Sequence, residues 1–278
     1  MIGKIFKWLF RTYTNKLILA NVIIFILFLI LSAIFGQENI IPLVAMQPAA
    51  FFAGQNLWTL VTSMFMHAGF AHLFFNMFSL MFIGNFVEKL IGKRRFLIFY
   101  LISGIFAGLV FVLSAGLFGG SILGGKIFGM PLNYGVGASG AIFGLVGLLA
   151  VLTPRNHVYL ILGPLIAIVL QAILENFITN ASLMSIISLI INIYFIFSVF
   201  AIISFNSRIQ KYSVPVNMPF WMLPIIAIVP LIIIGLFVTL PIGNMAHIGG
   251  LIAGLIYGFY LKYKYPKKTS MISRHFSK

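Results

Sequence analysis

Residues 96–118 read FLIFYLISGIFAGLVFVLSAGLF, 23 positions without a charge, directly after Lys93-Arg94-Arg95. As a helix this run would rise about 34 Å at roughly 1.5 Å per residue, enough to cross a hydrocarbon layer of about 30 Å. Working outward, seven more apolar runs appear at 17–35, 67–88, 138–153, 158–178, 183–205, 219–239 and 244–262. The fourth run in chain order, 138–153, is short, and the seventh carries Pro219, Pro224 and Pro230. Apolar residues make up 62% of the 278 and charged residues 8%, whereas soluble domains are nearer half and a quarter. A water-soluble globule, a disordered chain and a coiled coil are therefore excluded. The expected fold is all-α, a polytopic transmembrane bundle of eight spans occupying 17–262, with short basic tails at 1–16 and 263–278.

The basic residues orient the bundle. Lys4, Lys7, Arg11 and Lys16 precede the first run, which lacks a small-residue cleavage site and reads as a signal anchor. With eight spans and an inner N-terminus, every Lys and Arg of the 18 except Lys126 falls on the cytoplasmic side. The net charge of +15 is then mainly an insertion signal, with some attraction to anionic inner-leaflet lipid. The basic residues are too scattered between apolar runs to form a nucleic-acid face. Long spans and the lack of a transit peptide favour a plasma membrane. Outside, residues 36–66 read as an interfacial loop with Pro42, Pro48, Gly54 and Trp58, and 119–137 are glycine-rich.

Polar side chains inside a span cost free energy and mark function or packing. Gly137-Ala138-Ser139-Gly140 opens the fourth span just below the outer face. Its first-turn N–H groups lack intrahelical partners and carry the positive end of the helix dipole. A tetrahedral oxyanion formed at Ser139 would find donors there; equally, Ser139 reads as an N-cap beside small packing residues. His247 opens the eighth span at a similar depth. Gly140, Gly144 and Gly147 line one face of span four, and Gly250, Gly254 and Gly258 one face of span eight. Two such stripes permit backbone contact that would bring Ser139 within reach of His247. His72 and Asn76, four apart on one face of span two, can both donate hydrogen bonds at that depth or serve as interhelical ties. His67, five before His72, points elsewhere or belongs to the entry loop.

Other chemistries fail on composition. Without Cys there is no disulfide, thiolate metal site or Cys nucleophile. The acidic residues are Glu38, Glu88 and Glu175; with no Asp, a paired-aspartate protease and an Asp-completed Ser-His triad are excluded. A zinc site from His67, His72 and His247 would lack the helix glutamate and any carboxylate ligand at that depth. Gly120 to Ile127 nearly spells a phosphate-binding loop, but Ile127 stands where the Mg²⁺ ligand belongs. No metal, cofactor or nucleotide is expected. Glu88, Gln171 and Glu175 read as packing or anchoring groups.

Taken together, His67, His72 and Asn76 in HxxxxHxxxN, GxSG at 137–140, and Ala246-His247 followed by Gly250 and Gly254 resemble the rhomboid family of intramembrane serine proteases. The resemblance covers about 57–153 and 214–262. It implies a six-helix core, Ser139 as nucleophile, His247 as general base, and an oxyanion hole of the Ser139 N–H, His72 and Asn76. Phe143 matches a position where the family often packs an aromatic near the catalytic histidine. Span seven resembles the family's gate helix and residues 240–246 its capping loop. Substrates would be transmembrane segments of other membrane proteins.

Two departures accompany the resemblance. Three spans rather than one separate the serine and histidine helices, so two extra spans between 158 and 205 are inserted; an even number preserves the direction of span eight. Trp58-Thr59 stands where the family commonly has Trp-Arg, which bears on the anchoring of the 36–66 loop. The alternatives are a catalytically silent binder of membrane-protein clients, and a transporter, for which neither inverted repeats nor a midplane charge is evident.

Overall fold

The structure, a computed structural model, describes residues 10–175, 177–203, 206–237 and 243–275. It is a polytopic bundle of mainly apolar helices. We label them α1 (Tyr13–Phe35), α2 (Phe70–Ile91), α3 (Lys93–Phe118), α4 (Ser139–Leu152), α5 (Leu162–Leu174), α6 (Ala181–Ile203), α7 (Leu223–Phe237), α8 (Asn244–Lys264) and α9 (Pro266–His275). Short helices at Gln37–Val44, Pro48–Phe52 and Thr59–Thr62 build the first loop, and another lies at Ile122–Phe128.

Five of these helices are long and apolar enough to cross a membrane: α1, α2, α3, the Ala181–Ser198 part of α6, and α8. Among the described residues α4 and α5 are shorter, and α7 is described only to Phe237; for α4 the surroundings give the reason. α4 has 14 residues, about 21 Å at roughly 1.5 Å per residue. Leu145, Leu148, Leu149 and Leu152 on it are almost wholly buried. A helix enclosed by its neighbours need not match the lipid thickness, because the loop feeding it is covered by protein.

A second difference concerns 158–178 and 219–239. The start of the first run, 158–161, forms a strand rather than helix, and the second run opens with Pro219 at the end of a strand and a turn at 220–222. β1 (His157–Ile161) pairs antiparallel with β2 (Pro215–Pro219), His157 opposite Pro219 and Ile161 opposite Pro215. Among the described residues the regular structure is therefore helical apart from one two-stranded ribbon, α5 begins only at Leu162, and α7 only at Leu223. The ribbon has a topological consequence. The chain leaves α4 through Asn156 and returns at Phe220, whose N–H donates to the Asn156 carbonyl at 2.9 Å. α5 and α6 are thus a helical hairpin closed at its base and inserted into a chain that otherwise runs from α4 to α7. α6 touches α2 where Phe195 meets Phe74 and Phe75 edge-on, with centroids 5.6 and 4.6 Å apart. Ile186, Ile190 and Ile196 of α6 are exposed, as suits a helix facing lipid.

The centre of the bundle is the contact of α3, α4 and α8. Glycines make it possible. A Cβ built at Gly250 would fall on the carbonyl oxygen of Gly140, and one at Gly254 on that of Gly144. Gly258 lies against Val151 and Gly147 against Leu251, so α4 and α8 run parallel with backbones touching. α3 completes the seam, with Ala107 against Gly140 and Gly249 and Ser103 against Gly144.

Glu88 joins the other ends of α1 and α2. Buried at 4% exposure, it accepts the Tyr13 and Thr14 N–H groups at 3.0 and 2.8 Å and the Thr14 hydroxyl at 2.8 Å. A carboxylate on the free N–H groups of a helix start is favoured by both hydrogen bonding and the dipole. Nearby, Lys93 donates to the Arg11 carbonyl at 2.9 Å.

Two outcomes follow from this packing. Gly254→Val inserts a branched side chain into backbone contact and should lower stability by about 1–3 kcal/mol, measured by denaturant unfolding in detergent; an unchanged midpoint would refute the seam. Glu88→Ala removes the acceptor of three donors and should cost roughly 1.5–3 kcal/mol by the same measurement.

Candidate active site

The site forms where the N-terminal ends of α2, α4 and α8 meet. α4 starts at Ser139 itself; Ala138 is the residue before it, and no side chain caps the helix. Ser139 is therefore not an N-cap. Its hydroxyl is free for another partner, and the Ser139 Oγ lies 2.9 Å from Nε2 of His247. The two residues are 108 apart in the chain and meet because the Gly140–Gly250 contact one turn deeper leaves no side chain between the helices. The His247 ring is fixed from its face by Phe143, stacked at 4.3 Å between centroids and tilted by 15°. Phe143 is one helical turn beyond Ser139, so the helix that carries the hydroxyl also carries the platform for the imidazole.

The loop entering α4 is pinned on several sides. Met46 and Gly135 form an isolated bridge, with N–H to O distances of 2.7 and 3.0 Å. The Gly137 N–H donates to the Ser63 carbonyl at 2.8 Å. Gly137 has φ near 119°, a conformation that favours glycine. A Cβ there would come within 2.8 Å of the His72 ring and 3.6 Å of the Asn76 amide nitrogen. His72 and Asn76 therefore project toward the turn that immediately precedes Ser139. The Asn76 amide donates to the His72 carbonyl at 3.0 Å, which fixes its direction and leaves its second hydrogen free.

His67 lies in the entry loop ahead of α2, the second of its two sequence options. It is fully buried. Its ring meets that of His72 edge-on at 5.1 Å, and its Nε2 accepts the Ala138 N–H at 3.5 Å. Gly250 and Gly254 belong to the seam rather than to the cleft.

Sequence reasoning left out the partners of this turn. Ser63, Met46 and Ala138 act through their backbones, so their side-chain chemistry carried no signal. The 36–66 loop is anchored without the family's arginine. Trp58 Nε1 donates to the Leu43 carbonyl at 2.9 Å, Thr62 Oγ1 to that of Val44 at 3.1 Å, and Asn56 to that of Pro42 at 3.0 Å. Residues 240–242 of the expected capping loop lie outside the described residues.

Chemically, the arrangement is an alcohol in contact with an imidazole at a helix N-terminus. With the ring proton on Nδ1, Nε2 can accept the hydroxyl proton. Ser139, Gly140 and Ala141 occupy the first turn, where N–H groups have no intrahelical acceptor.

A multispan helical bundle with a serine and a histidine paired at the starts of two helices defines a narrow class of membrane protein. The Rhomboid domain description matches residues 54–196 and 193–264, and the chain belongs to the rhomboid family. It is 41% identical over 91 residues to the putative rhomboid protease YdcA of Bacillus subtilis, covering 32% of this chain and 38% of that one. To the rhomboid protease GluP of the same organism it is 32% identical over 146 residues, covering 52% and 25%. It is also 40% identical over 57 residues to the inactive RHOMBOID-like protein 8 of Arabidopsis thaliana, covering 20% and 16%. The matched stretches thus span well under half the length of these relatives.

If the turn at Gly137 holds His72 in place, Gly137→Ala should reduce labelling of Ser139 by a fluorophosphonate probe at least about tenfold, since the methyl displaces the ring against which it packs. Labelling at the wild-type rate, read by gel fluorescence or intact mass, would contradict that role.

Proposed function

We propose that this chain is an intramembrane serine endopeptidase that hydrolyses peptide bonds in or near transmembrane segments of other membrane proteins. The observation that carries the reading is the 2.9 Å approach of Ser139 Oγ to His247 Nε2. In this reading His247 takes the hydroxyl proton as Ser139 attacks the scissile carbonyl carbon. The tetrahedral oxyanion is met by the Ser139 N–H, His72 and Asn76. His247 then gives its proton to the leaving amine, and the acyl-enzyme is released by water that the same imidazole activates. No Asp is needed, because stacking on Phe143 fixes the ring that a carboxylate would otherwise orient. Family membership supports the reaction class, and no cofactor takes part.

Eight crossings and an outward-facing site belong to the same proposal. The described basic residues other than Lys126 lie at the start of α1, at the α2–α3 junction, after α4 (Arg155), after α6 (Arg208 and Lys211), at the end of α8 and on α9; the Lys126 ammonium donates to the Leu236 carbonyl at 3.2 Å. In this proposal both termini lie in the cytoplasm, as the positive-inside rule favours, and the site opens near the outer surface of a plasma membrane, where water can reach it. The silent-binder reading draws only on the relative named inactive.

Ser139→Ala and His247→Ala should each abolish cleavage of a transmembrane reporter while leaving the unfolding midpoint within experimental error. Asn76→Ala should lower the rate by about 10²–10³, the usual effect of losing one oxyanion donor. Reporter cleavage by Ser139→Ala at the wild-type rate would defeat the assignment.

A further inference from the structure

The outer side of the α3–α8 pair carries a groove of about 490 Å³ that the site chemistry does not use. Its floor is Phe99 stacked on Tyr257 at 4.6 Å. Ile98 and Ile102 of α3 and Ala253 and Ile256 of α8 form its walls, and the three isoleucines are exposed. The groove extends along α3 from Arg95 to Phe106. That is about 16 Å at roughly 1.5 Å per residue, close to half of a hydrocarbon layer of about 30 Å. It is one leaflet deep.

Its shallow end is cationic. Arg95 donates to the Tyr265 hydroxyl at 3.4 Å with its guanidinium 5.4 Å from that ring. Lys264 donates to the Tyr260 hydroxyl at 2.8 Å and lies 5.8 Å from the same Tyr265 ring. Two cations therefore share one aromatic ring, and among the described residues no carboxylate answers them. The chain has only three acidic side chains; Glu88, the one at this end of the bundle, is committed to the start of α1.

We propose that this groove binds one anionic phospholipid of the leaflet at the basic end, with an acyl chain along Ile98, Ile102 and Ile256 and the phosphate at Arg95 and Lys264. A phosphate there relieves the repulsion between the two cations and accepts the hydrogens that tyrosine hydroxyls cannot, since arginine and lysine are donors only. A second copy docked face to face about a twofold axis would bring the same cations together. A phosphatidylcholine headgroup carries its own cation and gains less from the pair.

Native mass spectrometry of the full chain in mild detergent tests this with phosphatidylglycerol and phosphatidylcholine as probes. Wild type should retain phosphatidylglycerol at least about tenfold more tightly. Arg95→Gln with Lys264→Gln should reduce that retention by about tenfold or more, as each cation near an anionic surface contributes roughly fivefold. Ile98→Trp with Ile102→Trp keeps both charges, fills the slot, and should reduce it as well; this pair decides the matter if the glutamine pair does not fold. Equal retention of the two lipids, unaltered retention by either double variant, or displacement by equimolar inorganic phosphate would overturn the proposal, as would dimers that the glutamine pair abolishes. Reporter cleavage in detergent without added lipid should be unchanged in both double variants.

Discussion

Along their glycine positions α4 and α8 meet backbone to backbone. In a bilayer apolar side chains gain nothing by leaving lipid for protein, so helices associate through close packing and polar contacts instead. The Gly140–Gly250 and Gly144–Gly254 contacts supply that packing by letting backbones touch. Everything at the site inherits this closeness. Ser139 and His247 stand at the starts of two parallel helices whose backbones meet one turn deeper, and their separation of 2.9 Å follows from that approach. A single methyl group in the seam would widen both. α3 makes the seam three-sided through Ala107 and Ser103, and the burial of α4 that results is what lets so short a helix hold the middle of the bundle.

The same enclosure explains how irregular backbone survives at the mouth of the site. The chain before Ser139 carries a positive-φ glycine and a run of backbone groups that hydrocarbon would penalise. Each is answered locally: Gly135 by Met46, Gly137 by Ser63, and Ala138 by the buried ring of His67. The polar residues of α2 and of the loop that enters it thus divide into two tasks. His67 holds the turn, while His72 and Asn76 face it. The inserted α5–α6 hairpin leaves these relations intact because the β1–β2 ribbon returns the chain to the point from which it departed. An even number of added helices and a closed base together keep α8 parallel to α4.

The two ends of the bundle have opposite characters. One holds His67, His72, His247 and Ser139 among short loops and helix starts. The other collects lysines and arginines, with Glu88 buried between α1 and α2 as its one acidic anchor. Lacking carboxylates, these cations lean on tyrosine rings and hydroxyls, as Arg95 and Lys264 do at Tyr260 and Tyr265. Charge asymmetry of this kind orients a chain during insertion and leaves cations facing the headgroups of one leaflet.

Much was legible before any coordinates. The uncharged run at 96–118 and its counterparts defined a helical membrane protein because hydrocarbon tolerates no unsatisfied backbone. The glycine periodicity at 140, 144 and 250, 254 marked the faces that meet, since a four-residue interval places positions on one side of a helix. Ser139, His247, His72 and Asn76 stood out as polar groups at one depth with a solvation penalty, although capping or interhelical ties could have accounted for each singly. What the one-dimensional pattern could not decide was anything set by partners far away in the chain. Residues 158–161 are apolar enough to extend the helix that follows them, and only their pairing with Pro215–Pro219 across the inserted hairpin made them a strand. Ser63, Met46 and Ala138 serve through backbone atoms that every residue possesses, so no sequence signal distinguishes them. Whether the serine capped its own helix or faced an imidazole was likewise a question of tertiary packing, because a hydroxyl suits either role and only the neighbour that arrives selects one.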